Sequence, residues 1–300
     1  MAVRSATTGL NTVAPALPNA PVEYKKGYLD KLNNILRLYF NQLDTSIRNA
    51  MATQVPYNLQ VSQGSVAGAT SLYKFGYNAD VDATEETIWN EGGNYAFPAS
   101  AAVVYLSSSS AADTSAGTGA RTVTVEGLNA SYVEISETVA LNGQTQVATS
   151  ASFLRINRAF VVTAGSGGTS AGVVYVAVSG VSSGVPTGVV YGNLGTGNQT
   201  QLAVYTVPAN KTLYIDTLIF TGAMSTATEY ATAKFNTREL GGTFRTRVIE
   251  TIQSNSNLIP FAYPLSIPEK TDIECRAIAS AANNEISASF EGVLIDTVAT

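Results

Sequence analysis

From Leu72 to its end, the chain alternates short runs of β-branched and aromatic residues with turn-forming residues, at intervals of about ten residues. Examples are Ala101–Leu106, Phe153–Val162 and Thr212–Phe220, and Asn142-Gly143 is a strong hairpin signal between two such runs. Runs of this length and spacing are typical of β-sandwiches and jelly rolls. The sequence therefore predicts a mainly β protein, with one or two antiparallel, jelly-roll-like β-sandwich domains.

The later runs also predict which side chains form the core. The predicted core residues are Leu213, Ile215, Leu218, Phe220, Ile273 and Ile286. Leu213 and Ile215 fall on one face of their strand, whereas Leu218 and Phe220 fall on the other. Either a β-bulge near Thr217 switches the face, or the end of this strand is covered on both sides.

The segment before these runs has a helical pattern instead. Over residues 24–51, apolar residues recur at spacings of three and four, which indicates one face of an amphipathic helix. Leu29, Leu38 and Phe40 widen the apolar surface, and most of the charged residues lie off the main stripe. Residues 1–23 contain three prolines, which indicates an extended arm or, alternatively, a flexible terminus.

Two interpretations of this helix are open. It packs on its own domain, or it bundles with copies of itself or with a partner. The helix lies between a proline-containing arm and a Gln/Ser/Gly-rich stretch, and neither neighbour assures it of many contacts within the chain. This position favours the second interpretation. The predicted partner-binding residues are Tyr28, Leu32, Ile35, Leu36, Tyr39, Phe40, Leu43 and Ile47.

Composition shifts along the chain predict four segments. Residues 1–53 form the N-terminal arm and docking helix, and residues 54–71 form a linker. Residues 72–185 form a first β domain, and residues 186–300 form a second. The Gly- and Ser-rich stretch Ser179–Gly197 is either the boundary between the β domains or a long loop.

The composition argues against catalysis. The chain has no histidine and one cysteine, which excludes His-dependent catalysis, His-ligated zinc and multi-cysteine metal sites. A net charge of −5 disfavours a nucleic-acid surface, and the apolar runs are too short to span a bilayer. We therefore predict that the protein is not an enzyme and has no catalytic residue, metal, cofactor, nucleic-acid partner or membrane partner. The lack of histidine also predicts stability that is nearly flat from about pH 6 to about pH 8.

One acidic cluster is the strongest candidate for site chemistry. Asp80, Asp82, Glu85 and Glu86 lie just before Trp89, the only tryptophan. Such a loop can bind calcium or, with an aromatic ring, a sugar, but the spacing of an EF-hand is absent. The alternative is a solvated segment with Trp89 in the core.

Three other features are weaker evidence for a functional site. A pair of carboxylates can hydrolyse glycosides, but nothing in the order of residues selects such a pair. The glycine-rich stretches lack the lysine of a phosphate loop and indicate turns. Cys275 lies in an alternating run and is predicted to be a buried, inert thiol.

Seven segments spread over most of the chain carry a resemblance to a known family. At the N-terminus they are LNTVAPALPNAPVEY (10–24) and LNNILRLYFNQLDT (32–45). Further along they are VDATEETIWNEGGNYAF (81–97), EGLNASYVEISETVALNGQT (126–145), FLRINRAFVV (153–162), YTVPANKTLYI (205–215) and IPEKTDIECRAIA (267–279). These segments resemble virion structural proteins of marine tailed bacteriophages, such as cyanophages and pelagiphages. The resemblance implies no catalytic residues.

The resemblance implies a virion protein, assembled in the bacterial host cytoplasm. Its arm and helix would dock on the particle, and its β-sandwiches would be displayed as a capsid decoration or fibre-type component. The expected partners are other virion proteins, of the head or the tail, and copies of the chain itself. An inner tail or adaptor-type component, or a module that binds a host glycan, is the alternative.

Overall fold

The computed structural model describes residues 26–52 and 55–297. The predicted arm, residues 1–23, lies outside the described residues. The chain divides into two compact units, with the division after Gln63. The first unit contains the helices α1 (Lys26–Ala52) and α2 (Tyr57–Ser62), so the predicted amphipathic helix is confirmed.

The second unit consists of β-strands in antiparallel sheets, which confirms the predicted mainly β class. The first nine strands are β1 (Ala69–Val81), β2 (Glu86–Thr87), β3 (Ala102–Ser108), β4 (Ala120–Leu128), β5 (Glu134–Ala140), β6 (Val147–Phe153), β7 (Arg155–Ala164), β8 (Val174–Ala177) and β9 (Val181–Ser182). The later strands are β10 (Val185–Pro186), β11 (Val190–Asn193), β12 (Val204–Thr206), β13 (Lys211–Ala223), β14 (Ala231–Arg238), β15 (Arg245–Ile252), β16 (Ser256–Ile267), β17 (Asp272–Ala279) and β18 (Asn284–Asp296).

One sandwich, which we call the outer sandwich, combines strands from both ends of this unit. Its first sheet has the strand order β1-β18-β13-β16, and its second has the order β12-β17-β14-β15, with β2 paired to β17. Apolar side chains of both sheets form one core, in which the ring centroids of Phe235 and Phe290 are 5.7 Å apart. The first and last strands of the unit are therefore neighbours.

The second sandwich, which we call the inserted sandwich, lies in the chain between β2 and β12. Its sheets have the orders β11-β8-β3-β6 and β5-β4-β7, and β9 and β10 form a separate hairpin. Its core is a separate apolar cluster that includes Leu106, Val125, Phe153 and Val176. The chain thus leaves the outer sandwich after β2, builds a second sandwich and returns at β12.

The strand pairing divides the β residues differently from the boundaries expected at 72–185 and 186–300. β1 pairs with β18 along its length, so residues 69–81 belong with the C-terminal strands and not with residues 102–193. The expected boundary at 185/186 falls inside β10, and the expected linker contains α2 and the start of β1. Local patterns indicate where strands lie but not which distant strand each one pairs with. The sequence alone therefore predicts domains that are each continuous in the chain.

The predicted core residues of the outer sandwich are confirmed. Leu213, Ile215, Leu218 and Phe220 are fully buried, and so are Ile273 and Ile286. The register of β13 shifts between Ile215 and Thr217 against both neighbouring strands. The bulge is therefore the correct alternative, since the extra residue turns Leu218 and Phe220 back towards the core.

A buried ionic contact joins the two sandwiches. Arg155 of β7 donates from Nε to Oδ1 of Asp272 at 2.8 Å and from Nη2 to Oδ2 at 3.1 Å. Arg238 donates from Nη2 to the same Oδ2 at 2.7 Å, and Thr206 donates its hydroxyl to Oδ1 at 2.6 Å. Asp272 thereby links strands of both sandwiches, because its buried carboxylate accepts charge-assisted hydrogen bonds from Arg155 on β7 and from Arg238 on β14.

Candidate functional site

The predicted partner-binding residues all lie on α1, and none of them is buried. Six of the eight are half-buried, while Phe40 is 60% exposed and Ile47 is 39% exposed. Leu38, on the opposite side of the helix from Phe40, is 61% exposed. Each described side chain of α1 is therefore partly or fully open to solvent, which is unusual for so apolar a helix.

The apolar face of α1 has an eleven-residue repeat that continues to the last turns. The set Tyr28, Leu29, Leu32 and Leu36 recurs eleven positions later as Tyr39, Phe40, Leu43 and Ile47. A period of eleven corresponds to about 3.67 residues per turn, close to that of a straight α-helix. The repeat therefore keeps one continuous apolar face, which we call the α1 stripe.

The charged residues of α1 lie on the side of the helix away from the stripe. Asp44 and Arg48 form an exposed ion pair at 2.8 Å, one turn apart. Among the described helices, none is long and apolar enough to cross a membrane.

The acidic cluster is a set of structural contacts and not one shared site. Glu86 is buried and accepts hydrogen bonds from the main-chain N–H groups of Asp82 at 3.1 Å and Gly93 at 2.6 Å. Glu85 instead forms an ion pair with Lys234. These neighbouring carboxylates therefore point to different partners. Among the described residues, no group of three metal-ligating acids or cysteines comes together.

Trp89 is a core residue, as one of the two interpretations of the sequence held. It is 3% exposed, and its indole N–H donates to the carbonyl of Gly93 at 3.1 Å. Its ring meets Tyr95 edge to face, with centroids 5.2 Å apart. It is therefore closed to a sugar. Cys275 is buried, as predicted, and burial raises the pKa of its thiol, which disfavours the reactive thiolate form.

Sequence reasoning missed a cavity beside Lys74, where β1 and β12 face β4 and β7. Lys74 is buried, and its ammonium donates to the main-chain carbonyl of Asn157. Burial, and secondarily the charge of Arg158, lowers the pKa of Lys74 to about 7, while Glu126 acts in the opposite direction. No pattern marks this lysine, because inward and outward positions of β1 both carry polar residues.

No protein-family model matches the chain, and no curated protein matches it. Among solved structures, it is similar to the VP2 protein of infectious bursal disease virus. The crystal structure of the VP2 subviral particle is 11% identical, with 81% of this chain and 79% of that chain covered and a TM-score of 0.20. The structure of the Gt strain is also 11% identical, with 82% and 83% covered and a TM-score of 0.17. Likenesses at such TM-scores carry no argument about this chain.

Proposed function

We propose that this protein is a non-enzymatic structural component of a bacteriophage virion, which docks through α1 and displays its two sandwiches as a decoration or fibre-type component. The resemblance of seven segments to marine phage virion proteins supports the virion role. The observation that carries the docking role is the α1 stripe, an apolar face without a single buried side chain among the described residues of the helix. The histidine-free composition agrees with a structural role.

The eleven-residue repeat favours other helices as the surface that covers α1. A local patch on a globular partner needs only a few apolar side chains, whereas a continuous face is needed when helices lie side by side along their whole length. Copies of this chain carry the same repeat and the same period. We therefore propose self-association through α1, with the resulting bundle docked on other virion proteins.

Two substitutions on the stripe test the docking role. In the variant Leu32→Asp/Leu43→Asp, two charges interrupt the stripe in successive repeats. Leu38→Asp is the matched control, since it places a charge on the same helix but off the stripe. By sedimentation velocity, the native chain and the control are expected to be oligomers and the double variant a monomer. A native chain that remains monomeric throughout the micromolar range would contradict self-association.

Binding to particles tests the virion role. A truncation that begins at Gly64 removes the first unit and keeps β1 whole, whereas one that begins at Leu72 cuts into β1. The Gly64 truncation is expected to fold and to lose binding to virions. Unimpaired binding by this truncation would overturn docking through the helix.

Antibody labelling of intact virions distinguishes sandwiches displayed on the particle surface from sandwiches located inside the particle. An antibody against the second unit should label intact particles if the sandwiches are displayed. Labelling only after the particles are opened would favour an inner tail or adaptor-type component.

A further inference from the structure

A groove lies at the junction of the two sandwiches. Two neighbouring cavities of about 530 Å³ and 350 Å³ share lining residues, among them Leu72, Glu126 and Asn157. We call the two cavities together the Lys74 groove. Their volumes fall within the range of small-molecule sites, about 300–1,000 Å³.

Lys74 places in this groove a buried amine that has no ion-pair partner in the part of the chain that the structure describes. The residue is 7% exposed, and among the described residues no carboxylate lies within 4.0 Å of its ammonium. Within the described part of the chain, its hydrogen-bond acceptor is the neutral main-chain carbonyl of Asn157. Buried lysines are normally paired, because a buried charge without a counter-ion is costly. An anionic group of a ligand would supply what the protein does not.

A β-bulge builds the wall opposite Lys74. Ile156 pairs with Gly127 and Arg158 pairs with Glu126, so Asn157 is the extra residue between them. Its side chain accepts a hydrogen bond from the N–H of Thr206 at 3.0 Å and donates one to the carbonyl of Thr206 at 3.2 Å. The wall is thus held rigidly, and bulges commonly re-aim polar groups next to binding sites.

Three other side chains that line the groove are a second cation, a carboxylate and an aromatic ring. Arg158 is exposed and donates to the side-chain oxygen of Gln199 at 3.1 Å, which puts a second cation at the groove. The side chain of Glu126 makes no hydrogen bond or ion pair with any described residue, so its carboxylate is open to a hydroxyl donor. Tyr73 is 63% exposed and presents an aromatic ring.

We propose that the Lys74 groove binds a carboxylated saccharide, with the carboxylate at Lys74 and Arg158, a hydroxyl group on Glu126 and a sugar ring against Tyr73. Such a ligand matches the lining in charge, in hydrogen-bond donors and in an apolar ring face. A fatty acid has no hydroxyl for Glu126, and free phosphate has no face for Tyr73. The groove belongs to the second unit, so this proposal stands or falls independently of docking through α1.

Calorimetric titration of the full chain with trigalacturonic acid tests the ligand class. Its methyl ester is the matched ligand, because it keeps the sugar rings and removes the charge. We expect the acid to bind with a sub-millimolar dissociation constant and the ester to bind at least about tenfold more weakly. Absence of acid binding up to millimolar concentrations, or equal binding of acid and ester, would overturn the proposal.

Variants assign the contacts. Lys74→Met, Arg158→Gln and Tyr73→Ala should each weaken binding of the acid, and the second and third keep the fold because both side chains are exposed. Tyr263→Ala is the control, since Tyr263 is 89% exposed on β16 and does not line the groove. A loss with the control as large as that with Tyr73→Ala would overturn the placement.

Proton uptake identifies Lys74 as the contact. Among the described residues, the charged groups that act on it are Arg158 on β7 and Glu126 on β4. The Tyr205 hydroxyl on β12 lines the same cavity, and Glu134 on β5 lines the adjoining one. A bound carboxylate stabilises the protonated amine, so at pH 8 binding should take up protons, measured from titrations in two buffers of different ionisation enthalpy. Lys74→Met should abolish this uptake, and uptake that persists in the variant would contradict the role of Lys74.

Discussion

Lys74 is the side chain that changes the expected response of this protein to pH. A chain without histidine was expected to have flat stability between about pH 6 and about pH 8. Burial lowers the pKa of Lys74 to about 7, so a lysine titrates in the window that histidine leaves empty. We therefore expect this residue to make stability depend on pH within that window.

The sign of the effect follows from proton binding. Above about pH 7 the folded chain has lost the proton of Lys74 while the unfolded chain, with an ordinary lysine, still holds it. Stability should therefore rise with pH from about pH 7 to about pH 9, and the full cost of the buried charge applies below that window. Urea unfolding at each pH measures this rise. Lys74→Met should remove it, and an equal rise in the variant would point to another group.

Leu213 tests the core of the outer sandwich. It is fully buried, and Leu213→Ala should lower the free energy of unfolding by about 2–5 kcal/mol, through lost burial and the cavity left behind. Leu258→Ala is the control on the edge strand β16, where the side chain is 62% exposed, and it should cost less than about 0.5 kcal/mol. Similar losses in both variants would mean that the face assignment of β13 is incorrect.

At the scale of the element, α1 carries a prediction of its own. No side chain of the stripe is fully buried in the described part of the chain, and most of the stability of a helix in a protein comes from packing of its apolar face. A peptide of residues 26–52 should therefore gain helicity as its concentration rises, measured by circular dichroism. The Leu32→Asp/Leu43→Asp peptide should stay at low helicity, with the Leu38→Asp peptide as control. Helicity that does not depend on concentration would argue against a bundle.

At the scale of the whole molecule, Asp272 is expected to control how firmly the two sandwiches hold together. Asp272→Asn leaves the buried Arg155 without its counter-charge, which should cost about 3–5 kcal/mol in urea unfolding. Asp296→Asn is the control, because its carboxylate is 60% exposed and lies 3.4 Å from Lys211, and it should cost less than about 1 kcal/mol. An unchanged Asp272→Asn protein would show that the apolar cores alone hold the two sandwiches.

The sequence by itself determined the features that depend on local pattern. Spacings of three and four predicted α1. Alternation in Thr212–Phe220 predicted the buried side chains, and it left a bulge near Thr217 as one of two explanations for the change of face. These succeeded because helix and strand periodicity place neighbouring side chains on a common face, whatever the rest of the chain does. The mainly β class followed in the same way.

Only the tertiary structure decided the long-range arrangement. The pairing of β1 with β18 makes one sandwich an insertion in the other, and no local signal specifies a partner so far away along the chain. The contact between the two sandwiches buries Lys74 of β1 against Asn157 of β7 and brings Arg155 of β7 to Asp272 of β17. These polar contacts join residues that are distant in the sequence. Burial and charge pairing are properties of the assembled strands, and so the groove and the junction emerged only once the sheets were in place.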